Sequence, residues 1–386
     1  MKKVLFSAAM ALVLVSCSRD EVIEINRDSD EIRFGVVTDA ATRAADVYCN
    51  NNLPGAFNVW ATYNNATYID GDLIQKDGTA WVNKDGVRYW PKTGNVTFYA
   101  QVNAGAAFKW NDGAPTIENY IVDNADVTKQ KDLLYAVKSQ GRSDNPVTLN
   151  FRHALSQIVF KAVNMNVNLY VEIKGVTICK VGSKNTFTYR SADTDKNIVY
   201  HDGITDTIAY DESWGTWNDL NGGTTNYHVG FEAVPVPGGG VVHNLTNNPD
   251  KGKEFSSKAM LLLPQTTTAW VPATDNGTPE KQDGTYFLVD CKICNVAGDN
   301  YASSDVVLWD GPAAVPAAFN WEQGKKYIYT FVFGNGNGGY DPDPDPDPDP
   351  DDPNPDPDPV LIPITFEVTV DDFVPVANQD IAMETE

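Results

Sequence analysis

Residues 147–161 read VTLNFRHALSQIVFK and contain two strand-like runs separated by only a few residues. In the first run Val147, Leu149 and Phe151 alternate with polar residues, which is typical of a β-strand with one buried face. The second run, 156–161, begins a new series of such patterns. We therefore predict a domain boundary near residue 158, to within about ten residues.

Strand-like runs recur on both sides of this boundary. Those before it are 57–63, 87–90 and 95–102, and those after it are 169–178, 259–263, 285–289 and 325–333. Turn signals such as Asp77-Gly78 and Asp85-Gly86 separate them. The polar stretch 200–255 is interpreted as a long excursion from the second series. Many short strands with turn residues between them predict an all-β protein made of β-sandwiches.

The composition describes a globular and acidic chain. Hydrophobic residues make up 42% of the 386 residues, which is enough to fill real cores. The formal net charge is −23, and Lys and Arg do not cluster anywhere. Nucleic-acid binding needs such clusters to neutralise phosphates, so we predict no nucleic-acid partner.

The N-terminus, MKKVLFSAAMALVLVSCSRD, is typical of an export signal. Two lysines precede an apolar run that is too short to span a membrane. The segment 14–17, LVSC, resembles a bacterial lipobox, in which the signal is cut before a cysteine that then carries lipid. We therefore predict that Cys17 is a lipid anchor. The alternative is an ordinary signal peptide with an incidental cysteine.

Motifs for catalysis or metal binding are not found. The four histidines fall in no zinc-protease pattern, and no nucleophile elbow or phosphate-binding loop is present. His153 and Ser156 are close in sequence, but a structural polar contact is the preferred interpretation. Cys291 and Cys294 have CxxC spacing, but on a strand such residues face opposite sides, which disfavours a redox or zinc role. We predict no enzyme activity, no cofactor and no metal.

A stiff acidic segment follows the second series of strands. The glycine-rich run 334–339 leads into 341–359, in which Asp and Pro alternate and nine residues are Asp. Proline removes the backbone donor and fixes φ, and the like charges repel, so an extended rod is expected. At about 3.1 Å per residue such a rod reaches on the order of 60 Å.

Two strand-like segments, one near each end of the chain, share a single apolar pattern. Residues 32–36 and 364–368 both read Ile-x-Phe-x-Val. In a strand these three side chains share a face at intervals of about 6.6–6.8 Å, so either segment could fill the same groove. The alternative is that amphipathic strands resemble one another by chance. The predicted faces are Ile32, Phe34 and Val36 for the first segment, and Ile362, Ile364, Phe366, Val368 and Val370 for the second.

The contexts of the two copies differ. The first is followed by a polar, small-residue segment, 38–46, which contains Arg43 and is interpreted as a loop open to proteases. The second lies beyond the rod, which is long enough to reach another molecule. An exposed strand is an aggregation hazard unless a defined acceptor exists, and adding a strand to a partner's sheet is a known mode of assembly.

Taken together, these features resemble the fimbrillin-like proteins of Bacteroidota, the major-fimbrillin and Mfa-like subunits of type V pili. The resemblance rests on a set of short motifs in a fixed order: the lipobox ending at Cys17, the strand at Ile32-x-Phe34 running to Thr42-Arg43-Ala44, Tyr89-Trp90-Pro91 with VTFYA at 96–100, DLLYA at 132–136, and 147–158.

This resemblance implies two transthyretin-like β-sandwich domains in tandem. It also implies export as an outer-membrane, surface-exposed lipoprotein and cleavage by an Arg-directed protease after Arg43, with Arg19, Arg27 and Arg33 as rival sites. Cleavage would remove the first strand, and the vacated groove would accept the C-terminal donor strand of a neighbouring pilus subunit.

The expected organisation follows from these inferences. It comprises a signal peptide (1–16), a tether with the removable strand (17–43), two sandwiches (44–158 and 159–333), a linker (334–359) and a donor-strand tail (360–386). The predicted function is that of a pilus subunit or adhesin, with a possible host or bacterial surface receptor. The alternative is a monomeric surface lipoprotein that binds a glycan or host protein, with Trp214 and Trp217 as candidate contacts. In that case the tail strand would fold back on its own domain.

Overall fold

The chain is built almost entirely from β-strands. The computed structural model describes residues 31–38, 54–110, 115–190, 215–218, 220, 222–246, 259–272, 283–295, 306–334, 339–340 and 364–372. Within these ranges the helical structure consists of two 3-10 turns, Gly105–Ala107 and Val127–Lys129. The prediction of an all-β protein is confirmed.

The strands fall on both sides of the predicted boundary. Those before it are β1 (Phe34–Thr38), β2 (Ala56–Tyr63), β3 (Ala66–Asp77), β4 (Ala80–Asn83), β5 (Asn95–Val102), β6 (Phe108–Lys109), β7 (Thr116–Ile121), β8 (Leu134–Gly141) and β9 (Val147–His153). Those after it are β10 (Ser156–Asn164), β11 (Leu169–Gly182), β12 (Lys184–Thr188), β13 (Thr216–Trp217), β14 (Thr224–Pro237), β15 (Val242–Asn244), β16 (Met260–Leu262), β17 (Gln265–Thr266), β18 (Tyr286–Asn295), β19 (Val306–Pro316), β20 (Asn320–Trp321), β21 (Lys325–Phe333) and β22 (Ile364–Asp372).

Seven strands from the first group close into a barrel in the order β1-β4-β3-β2-β5-β8-β9. Its core is a cluster of buried side chains that includes Phe34, Phe57, Trp90 and Phe98. The ring of Phe34 meets Phe57 and Phe98 edge-on, at centroid distances of 6.2 and 5.8 Å. Such edge-to-face pairs add to the stabilisation that comes from burying apolar area. The first strand of the chain therefore supplies part of the barrel core.

Two sheets from the second group pack face to face. One has the order β15-β10-β21-β22, with β16 also paired to β10, and the other has the order β14-β11-β18-β19. The ring of Phe287 on β18 lies 6.0 Å from Phe160 on β10 and 5.2 Å from Phe331 on β21. Side chains from both inner faces thus form one core, as in a β-sandwich.

A small sheet, β13-β12-β7-β6, joins segments from the two sides of residue 158. The larger core contains residues from both sides, such as Tyr135 and Phe187, whose ring centroids lie 4.6 Å apart. The predicted domain bounds, 44–158 and 159–333, therefore stay predictions. The arrangement of two transthyretin-like sandwiches in tandem also stays a prediction.

Two stretches differ from the sequence-based expectations. The segment 200–255 is expected from its sequence to be a long excursion from the second series of strands. It instead contains β14, a 14-residue strand that belongs to the sheet and pairs along β11. Most β14 side chains are exposed because β14 is an edge strand, so its hydrophobic pattern is weak. The predicted strand 87–90 is a loop with an isolated bridge between Tyr89 and Glu31. Its apolar residues include Trp90, which fills the barrel core from outside the ladder.

A short segment, residues 84–91, runs beside the residues that lead into β1, and we call it the strap. The backbone amide of Ile32 donates to the carbonyl of Arg88 at 2.7 Å. The Arg88 side chain in turn binds Asp72 of β3 through two hydrogen bonds, of 2.7 and 2.8 Å, and Asn83 donates to the same carboxylate at 2.6 Å. The Asp72–Arg88 pair therefore fixes the strap against the barrel.

The charge state of Asp72 controls its hydrogen-bonded pair with Arg88. Burial by itself raises the pKa of Asp72, but the hydrogen bonds from Arg88 and Asn83 outweigh it, and the pKa lies below its usual value of 3.8. A carboxyl whose pKa is lower in the folded than in the unfolded state stabilises the fold above the unfolded pKa. That contribution is lost as the pH falls through the folded pKa.

We expect Phe34→Ala to lower the free energy of unfolding by about 3–5 kcal/mol, because it empties a filled part of the barrel core. Urea unfolding of the chain without its signal peptide, followed by tryptophan fluorescence, measures this loss. Val87→Ala is the matched control, since Val87 is 52% exposed, and its effect should stay within about 0.5 kcal/mol. Equal effects of the two substitutions would contradict the packing described for Phe34.

We expect Asp72→Asn to destabilise the barrel at pH 7 by about 1–3 kcal/mol, because it removes the charged acceptor of a hydrogen-bonded pair. The difference from the wild type should shrink as the pH falls below 3.8, where the wild-type carboxylate also begins to lose its charge. Urea unfolding between pH 7 and pH 2.5 measures it. Asp70→Asn, an exposed change on the same strand, is the control. A pH-independent difference would contradict the role of the ion pair.

Candidate strand-exchange site

Strand β1 lies in the barrel wall next to strands that are distant from it in sequence. It pairs in parallel with β9, from Phe34 opposite Val147 to Thr38 opposite Phe151. On its other side it pairs with β4 only at Phe34 opposite Trp81. No hairpin joins β1 to either partner, so noncovalent contacts hold it between β9 and β4.

The apolar face of the first segment points into the barrel. Ile32 and Phe34 are 4% and 5% exposed, and the half-buried Val36 packs against the same cluster. Backbone hydrogen bonds hold the start of the segment, with Ile32 bound to the strap and the Val147 amide donating to the Arg33 carbonyl at 2.7 Å. Removing this segment would leave a groove lined by aromatic side chains and bordered by the β9 edge.

Strand β22 lies at the edge of the C-terminal sandwich, on its own chain. It pairs antiparallel with β21, from Ile364 opposite Phe333 to Asp372 opposite Lys325. Of the five residues on the predicted donor face, Ile362 and the side chain of Val370 fall outside the described residues. The other three become progressively more exposed: Ile364 is fully buried, Phe366 is half-buried and Val368 is 45% exposed.

The half-buried Phe366 anchors β22 to the sandwich. Its ring lies 5.3 Å from Phe287 and 5.8 Å from Tyr329. Beyond this point the apolar row leaves the core, since Val368 has no cluster to pack into. In its own domain the second Ile-x-Phe-x-Val segment is therefore covered less well than the first is in the barrel.

The linker is attached to the sandwich beyond its glycine-rich run. Tyr340 exchanges two backbone hydrogen bonds with Ala314 of β19, of 2.7 and 2.9 Å, and its ring lies 5.6 Å from Trp270. The described part of the linker therefore ends in a contact with the sandwich at Tyr340. Sequence reasoning missed this attachment, although a single tyrosine between a glycine run and the Asp-Pro repeat is a weak signal for it. The Asp-Pro repeat, Cys17 and Arg43 lie outside the described residues.

The other candidates from the sequence have structural contacts. Buried His153 lies 2.8 Å from the Asp132 carboxylate, and Ser156 donates to the Glu322 carbonyl at 2.8 Å, so they do not form a pair. Trp217 donates to the Ala154 carbonyl at 2.6 Å and is therefore not a free surface aromatic. Trp214 lies outside the described residues.

Cys291 and Cys294 both lie on β18, as expected, and both side chains are buried. Burial raises the pKa of the Cys291 thiol, which disfavours the reactive thiolate. In the described part of the chain, no group of three or more His, Cys, Asp or Glu side chains could hold a metal ion. The described segments also contain no helix that is long and apolar enough to cross a membrane.

Comparison with solved structures finds chains of similar extent. A protein provisionally assigned to cell adhesion from Bacteroides uniformis is 14% identical, with 89% of this chain and 98% of that chain covered and a TM-score of 0.42. A protein with the same provisional assignment from Parabacteroides distasonis is 9% identical, with 89% and 99% covered and a TM-score of 0.44. The fimbrial anchor protein Mfa2 from Porphyromonas gingivalis is 9% identical, with 88% and 97% covered and a TM-score of 0.32.

These TM-scores and identities are too low to carry a functional argument, and no curated protein sequence matches the chain. The family comparison is stronger. The model of the family described as fimbrillin-like matches residues 42–341, which is more than half of the chain. The matched stretch begins after β1 and ends before β22, so both Ile-x-Phe-x-Val segments flank it. The chain belongs to the fimbrillin-like family.

Proposed function

We propose that this protein is a pilus subunit or adhesin that is exported as a lipoprotein through Cys17 and assembled by donor-strand exchange. Proteolysis after Arg43 separates the anchor and β1 from the rest of the chain. The groove between β9 and β4 then takes up β22 of a neighbouring copy. Family membership supports the coarser role, that of a structural fimbrial or adhesion protein at the cell surface that interacts with other fimbrial subunits.

One observation carries this proposal: the two copies of the Ile-x-Phe-x-Val pattern are buried to different extents. The first lies inside the closed barrel, and the second lies at the open edge of a sheet. Ile32 and Phe34 are almost completely buried in the barrel, whereas Val368 of β22 is 45% exposed in its own domain. Moving β22 into the groove would put Ile364, Phe366 and Val368 in the places of Ile32, Phe34 and Val36. The exchange would thus bury Val368, which the isolated chain leaves largely in water, at the cost of uncovering the β21 edge that β22 pairs with in its own domain.

An empty groove would lower the stability of the barrel. Truncating one buried phenylalanine or isoleucine costs about 2–5 kcal/mol, and a missing β1 removes several such side chains together with a row of backbone partners for β9. An equivalent strand restores both. Because the side-chain period of a strand is two residues, a β22 that runs parallel to β9, as β1 does, presents the same apolar face to the barrel core.

The linker allows the required reach. The stretch between Tyr340 and β22, from residue 341 to residue 363, is 23 residues long. At about 3.1 Å per residue in an extended polyproline-like form it spans about 70 Å. Repulsion between its aspartates favours extension. A strand passed to another molecule could use this length.

Cleavage after Arg43 has two consequences because of the order of the segments. Cys17 and β1 lie on the same side of the cleavage point, so a single cut frees the protein from its lipid and makes β1 dissociable. Release and readiness to polymerise would therefore be coupled. Before cleavage, β1 would keep the groove filled close to the membrane.

A second candidate function is favoured by one specific observation. In this structure β22 pairs with β21 of its own chain, as expected for a monomeric surface lipoprotein that binds a glycan or host protein. In that case Arg43 would stay uncut on the cell, and the chain would remain anchored as a single unit.

We expect the chain beginning at residue 18 to form polymers after treatment with an Arg-specific protease. Gels of unboiled samples should show a ladder, because strand-inserted β-sandwich contacts resist detergent. Deletion of 360–386 should abolish the ladder. Arg43→Ala should prevent it, and Arg33→Ala is the matched control. A protease-treated chain that is cut at Arg43, loses β1 and stays monomeric would contradict donor-strand exchange and favour the second candidate.

Phe366→Ala should reduce the rate of ladder formation by more than about 100-fold, since it removes the side chain that replaces Phe34. Glu367→Gln is the matched control, because Glu367 is exposed and lies on the opposite face of β22. Densitometry of the ladder over time measures both rates. Similar rates for the two variants would show that the Phe366 face is not the inserted one.

A further inference from the structure

The far end of the C-terminal sandwich carries a small apolar surface. Met165, Val167, Val241 and Val242 are each more than half exposed, and we call them the distal tip. Gly240 lies close to the side chain of Met165, and Gly238 lies close to the backbone of Val167, so the two segments that carry these residues are neighbours. Single exposed hydrophobic residues are ordinary, but four of them on neighbouring segments at the end of a domain are a candidate contact surface.

The distal tip is held in one conformation by Asn164. Its buried side chain donates to the carbonyls of Leu169 and Val236, at 2.7 and 3.2 Å. Its backbone carbonyl accepts from the amides of Gly239 and Gly240, at 3.1 and 2.9 Å. The two glycines have φ values of +120° and +79°, which side-chain-bearing residues rarely adopt. The tip is therefore preorganised.

The distal tip lies where β22 begins. Strand β10 starts at Ser156, beside the barrel, and ends at Asn164, so the tip lies at the end of the sandwich away from the barrel. The Met165 amide donates to the carbonyl of Phe333 at 2.9 Å, and Phe333 is also the partner of Ile364. The first described residue of β22 is thus one strand away from the tip.

Charge favours a second copy of this chain as the occupant. The net charge of −23 makes two copies repel each other over most of their surfaces. The segments around the tip, 162–171 and 233–246, contain no Asp, Glu, Lys or Arg. Two copies can therefore approach at the tip without opposing like charges.

We propose that the distal tip docks on the barrel of the neighbouring copy that receives β22, at the barrel end where Phe34 meets Val147. This inference rests on the proposed strand exchange. In the donor, Ile364 lies beside the tip; in the acceptor, it would take the place of Ile32 at that barrel end. If the tip contacts this barrel end, the position that Ile364 leaves in the donor lies close to the position that it takes up in the acceptor.

The size of the distal tip shows why the contact depends on the strand. Four side chains bury far less than the roughly 1,000 Å² that a stable interface needs. A linked strand, however, raises the effective concentration of the second contact to the millimolar range. The tip therefore does not join free copies, but it fixes the angle between copies that β22 has already linked.

The test compares Val167→Asp/Val241→Asp with Val271→Asp in the chain beginning at residue 18, after Arg-specific cleavage. Val271 is 73% exposed elsewhere on the chain, so its substitution adds a charge without touching the tip. The tip variant should still exchange strands but should form polymers about tenfold shorter, measured by light scattering and electron microscopy. The control should match the wild type.

A photo-crosslinking amino acid at position 242 identifies what covers the distal tip. Crosslinks to the barrel of a second copy, formed only after cleavage, support the proposal. Crosslinks within one chain to residues 360–363, or wild-type polymer length in the tip variant, overturn it and leave strand exchange standing. If the wild type forms no ladder, strand exchange itself fails, and the proposal about the tip fails with it.

Discussion

The structure depends on a gap between β9 and β4 that only an added strand can close. Strand β1 fills this gap through parallel pairing with β9 and through the burial of Ile32 and Phe34. Because both neighbours of β1 are distant in sequence, the barrel is completed by a segment that no hairpin ties to its partners. An unfilled gap would expose the β9 edge and a row of aromatic side chains, which is unfavourable in water.

The strap holds the segment that closes the barrel through a backbone contact. The side chain of Arg88 binds Asp72, and the backbone carbonyl of Arg88 accepts a hydrogen bond from the amide of Ile32. The backbone contact does not depend on which residue supplies the amide, so a replacement strand can use it. The side-chain contact joins parts of the barrel other than β1. Under the proposed exchange it would keep the groove in shape for an incoming strand of the same pattern.

The C-terminal sandwich places the second strand under a different constraint. β22 adds to an open sheet edge, and its apolar row extends beyond the core into solvent. The linker that precedes it is held to the sandwich at Tyr340. Under the proposed exchange, these features would make the strand of one copy available to another, and the uncharged distal tip would give the two acidic molecules a place to meet.

The sequence by itself determined the all-β class, the positions of some strands, such as β2, β5 and β21, and the shared Ile-x-Phe-x-Val pattern, because a two-residue period reports which face of a strand is buried. The sequence did not predict the edge strand β14, because most of its side chains are exposed and its hydrophobic pattern is weak. Tertiary structure alone decided which strands pair: β1 in parallel with β9, β22 with β21 of its own chain, and Tyr340 with Ala314. Periodicity specifies a face but not a partner, and backbone pairing between distant segments depends on how the whole core packs.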